Sequence, residues 1–204
     1  MIITVSRQFG SGGRELGRRL ADALGLEYYD RELVAEIAEK SALNENYVDS
    51  VLESGGYSNF AFSFARTIPL SYATHDTVTE VLVAQQNVIK AIGKKGDCVI
   101  VGRSADAILA DLKPVRIFVY ADDESKIERC RKRAAEGEDV TEKHLKKTFK
   151  HIDKARAKLH DLVSSSEWGE KEGYDLMINT SGLDVKEIIA PLADLINDIA
   201  GAKR

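Results

Sequence analysis

One stretch near the start of the chain, Ser6-Arg7-Gln8-Phe9-Gly10-Ser11-Gly12-Gly13-Arg14-Glu15-Leu16-Gly17, restricts the fold more than any other feature. It follows the β-branched run Ile2 to Val5 and leads into a helical period built on Leu16, Leu20, Ala23 and Leu24, closed by Gly25. Strand, glycine loop and helix in that order form a phosphate cradle. Small residues let successive N–H groups face inward, and the helix N-terminus adds its positive dipole end. Gly10, Ser11, Gly12, Gly13, Glu15 and Leu16 are therefore expected to line the phosphates of a nucleotide, with Arg14 as the cation reaching the outer ones. The pattern departs from GxxxxGK[ST]: Gln8 stands at the first Gly, Arg14 at the Lys, and Glu15 and Leu16 where a magnesium-binding hydroxyl belongs. Arginine keeps the charge and can bind phosphate bidentately, although its fork is bulkier than an ammonium. Without a ligand the same loop is only a tight turn. A dinucleotide-binding GxGxxG fails, because its third glycine falls on Glu15.

The rest of the chain continues the alternation. Leu26 to Tyr29, Cys98 to Val101, Val115 to Tyr120 and Leu176 to Asn179 read as further strands. Between them lie helical segments such as Val78, Val81, Leu82, Gln85, Val88, Ile89 and Ile92, closed by Gly93. Thr141 is placed to N-cap a long helix with Leu145, Phe149, Ile152, Leu159 and Leu162 on one stripe. Strands alternating with helices predict a buried parallel sheet in an α/β fold. With 204 residues and 44% hydrophobic content, one domain spanning 1–204 is expected. The segment 55–75 carries Tyr57, Phe60, Phe62, Phe64 and Tyr72 without a clear period, so its aromatics would stack a base, pack a helical cap or form a dimer interface.

A net charge of −4 argues against a broad nucleic-acid surface, so any polyanion bound should be small. No apolar run has signal-peptide or membrane-span character, and a cytoplasmic protein is expected. Cys98 and Cys130 are far apart and make neither a disulfide framework nor a zinc site; Cys98 reads as core.

Four blocks, SRQFGSGGRELGRRLA, LGLEYYDRELV, DCVIVGRSAD and WGEKEGYDLMINTSGLDVKEI, in this order, resemble the cytidylate kinase-like family across nearly the whole chain. The resemblance implies the three-layer αβα P-loop NTPase fold of nucleoside monophosphate kinases, with a five-stranded parallel sheet, a helical acceptor-binding segment over 31–76 and a lid over 123–163. It implies acceptor-binding roles for Asp30, Arg31, Arg103, Arg129 and Asp153, and an adenine-side role for Asn179, Thr180 and Ser181. Arg14, Arg133 and Arg156 would supply catalytic charge as the phosphoryl group transfers, with Arg103 beside them. Arg129 and Arg133, at i and i+4, share a helix face that Arg131 does not. Asp153 and Arg156 would otherwise be a local surface pair.

The activity implied is ATP-dependent phosphoryl transfer to CMP, dCMP or a related small phosphorylated acceptor, with Mg2+ bridging the donor phosphates mostly through water. No metal ligand is assigned directly. Val101 stands where cytidylate kinases place an Asp before the GR pair, which leaves Glu15 and Asp30 as the carboxylates near the phosphates. The expected partners are ATP and the acceptor, without a nucleic acid polymer or membrane, and a homodimer is compatible with the aromatic segment. The alternative reading is a nucleotide-binding regulatory or sensor module whose altered loop binds without transferring.

Overall fold

In a computed structural model of the chain, the described residues are 1–30, 32–43, 45, 48, 49, 75–135 and 137–203. Strands β1 (Ile2–Arg7), β2 (Glu27–Tyr29), β3 (Cys98–Val101), β4 (Val115–Tyr120) and β5 (Leu176–Asn179) form one five-stranded sheet in the order β2-β3-β1-β4-β5. Every pairing is parallel. In the register across its centre, Thr4 of β1 lies between Ile100 of β3 and Arg116 of β4. Parallel strands need crossovers, and helices supply them: α1 (Gly13–Leu24), α2 (Glu32–Ser41), α3 (His75–Lys95), α4 (Ala105–Ile108), α5 (Asp123–Arg133), α6 (Glu142–Asp161) and α7 (Ile189–Lys203).

The period of two along the strands divides the core between two faces. Cys98 and Ile100 face Leu33, Ile37, Val81, Val88, Ile89 and Leu109 from α2, α3 and the α4 region. Val99 and Val101, with Ile3, Val5, Ile117 and Val119, face Leu16 and Leu20 of α1 and Ile189, Leu192 and Ile196 of α7. Both faces are covered, which makes three layers. A smaller cluster of Ile127, Leu145 and Phe149, joined by Phe9, packs α5 and α6 against the start of the glycine loop.

Two readings of helical ends change. The helix expected to close at Gly93 continues to Lys95, and Gly96, at φ +74°, follows it. Gly93 is small for another reason: a Cβ there would lie 2.6 Å from Leu109 Cδ2, where α3 crosses the α4 region. The stripe on α6 turns around Leu145, Thr148, Phe149, Ala155 and His160, while Leu162 lies beyond the helix and is 60% exposed. Cys98 is fully buried, and burial pushes its thiol up to about 11. Among the described residues no helix is long and apolar enough to cross a membrane. Arg31, the aromatics from Tyr57 to Tyr72 and most of the expected acceptor segment 31–76 lie outside the described residues.

Candidate active site

The C-terminal ends of β1, β3 and β4 and the loops that follow them converge on one edge of the sheet, the edge where open α/β sheets bind ligands. Gln8 leaves β1 by donating its N–H to Val119 O, and the loop then turns through Gly10 at φ +77° and Gly12 at φ +82°. Gly12 is the N-cap of α1 and offers no side chain to close it. The first N–H groups of a helix have no intrahelical partner, so this start presents open donors at its positive end. Thr180, fully buried, donates its Oγ1 hydroxyl to Ser11 O at 2.6 Å and fixes the loop from the far side. Ser11 Oγ donates to Gln8 O at 2.9 Å, so the loop's own hydroxyl is turned back on its backbone.

Helix α5 begins with Asp122, whose carboxylate caps it by accepting from Ser125 N at 2.7 Å. That helix lays two cations beside the loop. The stem of Lys126 packs on Gly10, where a Cβ would approach Lys126 Cβ to 3.1 Å. Arg129 passes Gly12 and donates through Nη2 to Thr180 O at 2.5 Å and Leu183 O at 3.3 Å. Its Nη1 is buried and has no hydrogen-bond partner among the described residues. One turn later Arg133 Nη2 meets Glu15 Oε2 at 2.9 Å, and Glu15 also pairs with Arg19 at 3.0 Å. Two guanidiniums thus offset a carboxylate that would otherwise repel an anion at the helix start. Arg131 turns away to Val140 O, as its offset on the helix requires.

Asp153 and Arg156 lie 3.6 Å apart on α6 and are mostly buried, which sets aside the surface-pair alternative. Phe9 N donates to Asp153 Oδ1 at 2.7 Å and Arg156 Nη1 donates to Arg7 O at 3.0 Å, so both side chains grip the backbone entering the loop. Burial raises the Asp153 pKa, against the lowering fields of Arg156 and the Phe9 N–H. Asn179 Oδ1 accepts from Ser181 N and Oγ, and Ser181 Oγ accepts from Asp122 N at 2.7 Å. The loop after β5 is thereby joined to the start of α5.

On the β2–β3 side, Asp30 is buried and pairs with Arg14 at 2.5 Å. Arg14 is the second residue of α1, and its guanidinium is engaged at the sheet edge by Asp30 instead of crossing the loop. Leu16 is fully buried in the core and lines no cradle. Tyr28 Oη lies 3.5 Å from Asp30 Oδ2; burial first, then that carboxylate, push its phenol up to about 12. After β3, Gly102, Arg103 and Ser104 are all left-handed, at φ +74°, +59° and +54°. Two consecutive non-glycine residues in this region store strain of about 1–3 kcal/mol each, which persists where the surroundings enforce it. Arg103 is held by Asp49 at 3.8 Å and by Gln85 Nε2, which donates to its carbonyl at 3.3 Å.

One residue that sequence reasoning missed is Arg7. Its side chain is mostly buried, its nitrogen Nη2 lies 3.8 Å from Asp30 Oδ1, and it runs from the end of β1 across the end of β3. A Cβ on Gly13 would meet Arg7 Cβ at 2.5 Å, and one on Gly102 would fall on the Arg7 guanidinium. The signal was present, as a charged residue ending an apolar central strand and followed by the glycines that clear it. Lys126 was missed too, since nothing in DDESKIERC separates it from surface lysines.

The groups around the cradle do not fit direct ligation of magnesium. The start of α1 has no hydroxyl, Ser11 Oγ is bonded to Gln8 O, and Glu15 and Asp30 are held by arginines. No group of three His, Cys, Asp or Glu suited to a metal occurs among the described residues.

Comparison with known proteins agrees with this geometry. Residues 2–182 match the family model described as the cytidylate kinase-like family. The structure is similar to that of an uncharacterized protein from Eubacterium ventriosum, at 26% identity over 97% of this chain and 98% of that one, with a TM-score of 0.69. It shares its fold with shikimate kinase from Bacteroides thetaiotaomicron, at 13% identity, 97% and 98% coverage and TM-score 0.58. A deoxyadenosine kinase from M. mycoides, at 15% identity, 97% and 100% coverage and TM-score 0.50, also has this fold. No curated protein sequence matches.

Proposed function

The chain belongs to the cytidylate kinase-like family, and from that premise we propose that it is an ATP-dependent phosphotransferase acting on CMP, dCMP or a related small phosphorylated acceptor. The observation that carries this reading is the Arg129 Nη1 donor, buried beside Gly12 and without a partner among the described residues. An orphaned buried donor costs about 1–3 kcal/mol, more when charged, and a phosphate oxygen in the cradle would satisfy it. The open start of α1 beside it favours the same class of ligand.

In the proposed reaction an oxygen of the acceptor's phosphate dianion attacks the γ-phosphorus of ATP. The bond from that phosphorus to the β,γ-bridging oxygen breaks, ADP leaves with the electron pair, and the acceptor becomes a diphosphate. No proton needs to move. Arg129 and the α1 amides would hold the donor phosphates, Arg133 and Arg156 would close over them, and Arg14, Asp30 and Arg103 would face the acceptor. Asn179 and Ser181 would flank the donor base. Any magnesium would arrive on the donor's phosphates, and no step here is assigned to it.

The test is ADP release by purified protein with ATP, magnesium and CMP, dCMP, UMP or AMP, beside Arg129→Ala. Acceptor-dependent release is expected, with the variant losing at least about tenfold in ATP affinity, the equivalent of ~1.4 kcal/mol. A second reading, a nucleotide sensor, is favoured by one observation: Arg14 is engaged by Asp30 and no lysine or hydroxyl stands at the start of α1. Saturable ATP binding without acceptor-dependent release would select it.

A further inference from the structure

We propose that Arg7 contacts the phosphoryl group between donor and acceptor, in place of a cation from the glycine loop itself. The inference rests on the phosphotransfer reading for the site's ligand. Three features of the fold converge on this one side chain. Arg7 ends the central strand, so its stem lies beneath the first turn of α1, where the donor phosphates would bind. Gly13, the first residue of that helix, has no room for a Cβ because Arg7 Cβ fills the space. Gly102, at the left-handed turn after β3, is bare where the guanidinium lies. Two elements from opposite sides of the site are therefore cut back to glycine around the same arginine.

The guanidinium then comes within 3.8 Å of Asp30, after β2, so the side chain spans the interval from loop to acceptor edge. Asp30 makes its closer contact with Arg14, at 2.5 Å, and this leaves the carboxylate shared by two cations. Both guanidiniums are thereby held at the edge where an incoming phosphate and the γ-phosphate would meet. A planar fork can bind two phosphoryl oxygens at once. Arg156 holds Arg7 by its carbonyl, so closure of α6 over the site would steady the residue from behind.

The experiment measures equilibrium binding of ATP and of adenosine 5′-pentaphosphate to wild type, Arg7→Met and Arg7→Lys. The pentaphosphate chain runs past the donor phosphates without requiring an acceptor base. The expected result is that Arg7→Met weakens the pentaphosphate about tenfold or more, changes ATP by no more than about threefold, and that Arg7→Lys, which keeps the charge but not the fork, recovers part of the loss. Melting temperature is read in parallel, and a third variant, Arg7→Gln, neutral but of similar reach, carries the test if the methionine variant does not fold. An unchanged ratio of pentaphosphate to ATP affinity in the folded neutral variant overturns the proposal, and so does a wild type that binds neither. If the variants show the ratio effect but wild type gives no turnover with any monophosphate, the contact of Arg7 with the outer phosphates of a bound chain stands while the phosphotransfer reading falls.

Discussion

At the scale of single residues, this chain uses glycine as much for clearance as for turning. Gly17 lies inside α1, where alanine would ordinarily favour the helix by about 1 kcal/mol. A Cβ at that position would lie 2.6 Å from Val101 Cγ2, where α1 packs on β3. Overpacking a well-filled core costs about 1–3 kcal/mol, so the clash outweighs propensity. Gly17→Ala should lower the melting temperature by several degrees, read by calorimetry; an increase would mean that α1 shifts freely on the sheet. The glycine run and its neighbours showed in the sequence that a phosphate-sized loop lies here. They did not show which cation faces it, because a side chain's direction depends on neighbours distant in sequence. Arg14 goes to Asp30 for that reason, and Arg7 comes forward from a strand that otherwise reads as apolar.

At the scale of elements, three strands have the bounds that their sequence patterns gave and the long helix starts after Thr141 as expected, since β-branched runs and an N-cap are local signals. The far end of α7 is tied down by chemistry that those patterns do not carry. Lys203 Nζ donates to Asp175 Oδ2 and to Pro114 O, both at 2.6 Å, and Asp175 also accepts from Arg116 N at 2.7 Å. Burial alone would raise the Asp175 pKa, but Lys203, the Arg116 amide and the Arg116 charge outweigh it and hold it below the usual value. A carboxylate with a depressed folded pKa contributes stability above its unfolded value of about 3.9 and loses it as pH falls through the lower folded value. Asp175→Asn should therefore cost about 1–2 kcal/mol at pH 7. In urea titrations the difference should persist down to about pH 4 and close below it; a gap independent of pH would assign the cost to packing.

At the scale of the whole molecule, the sheet is threaded by a buried polar connection. Ser6 Oγ donates to Asp106 Oδ1 at 3.2 Å, and His160 Nε2 meets Asp106 Oδ2 at 3.1 Å. Tyr174 lies against the same carboxylate, its phenol pKa raised first by burial and then by Asp106. The connection joins β1, α4, the end of α6 and the approach to β5, elements far apart in the chain. Asp106→Ala would orphan Ser6 and His160 in the interior, at about 1–3 kcal/mol for each group. A loss of about 3 kcal/mol in chemical denaturation is expected, and a loss under 1 kcal/mol would mean that water replaces the carboxylate.

The sequence by itself determined the alternation of strands and helices, the burial of both sheet faces and the place of the glycine loop, because each is written in local period and in residues close along the chain, and it carried the family through the resemblance of four blocks in order. Only the tertiary structure decided the pairing of Arg14 with Asp30, the slot that two glycines clear for Arg7, the grip of Asp153 and Arg156 on the loop backbone, and the Ser6–Asp106–His160 connection. Ser6 and Asp106 are 100 residues apart, and Asp106 and His160 are 54 apart. Such contacts depend on strand order and helix placement, which no local pattern encodes: a charged side chain pairs with whatever the fold brings within reach.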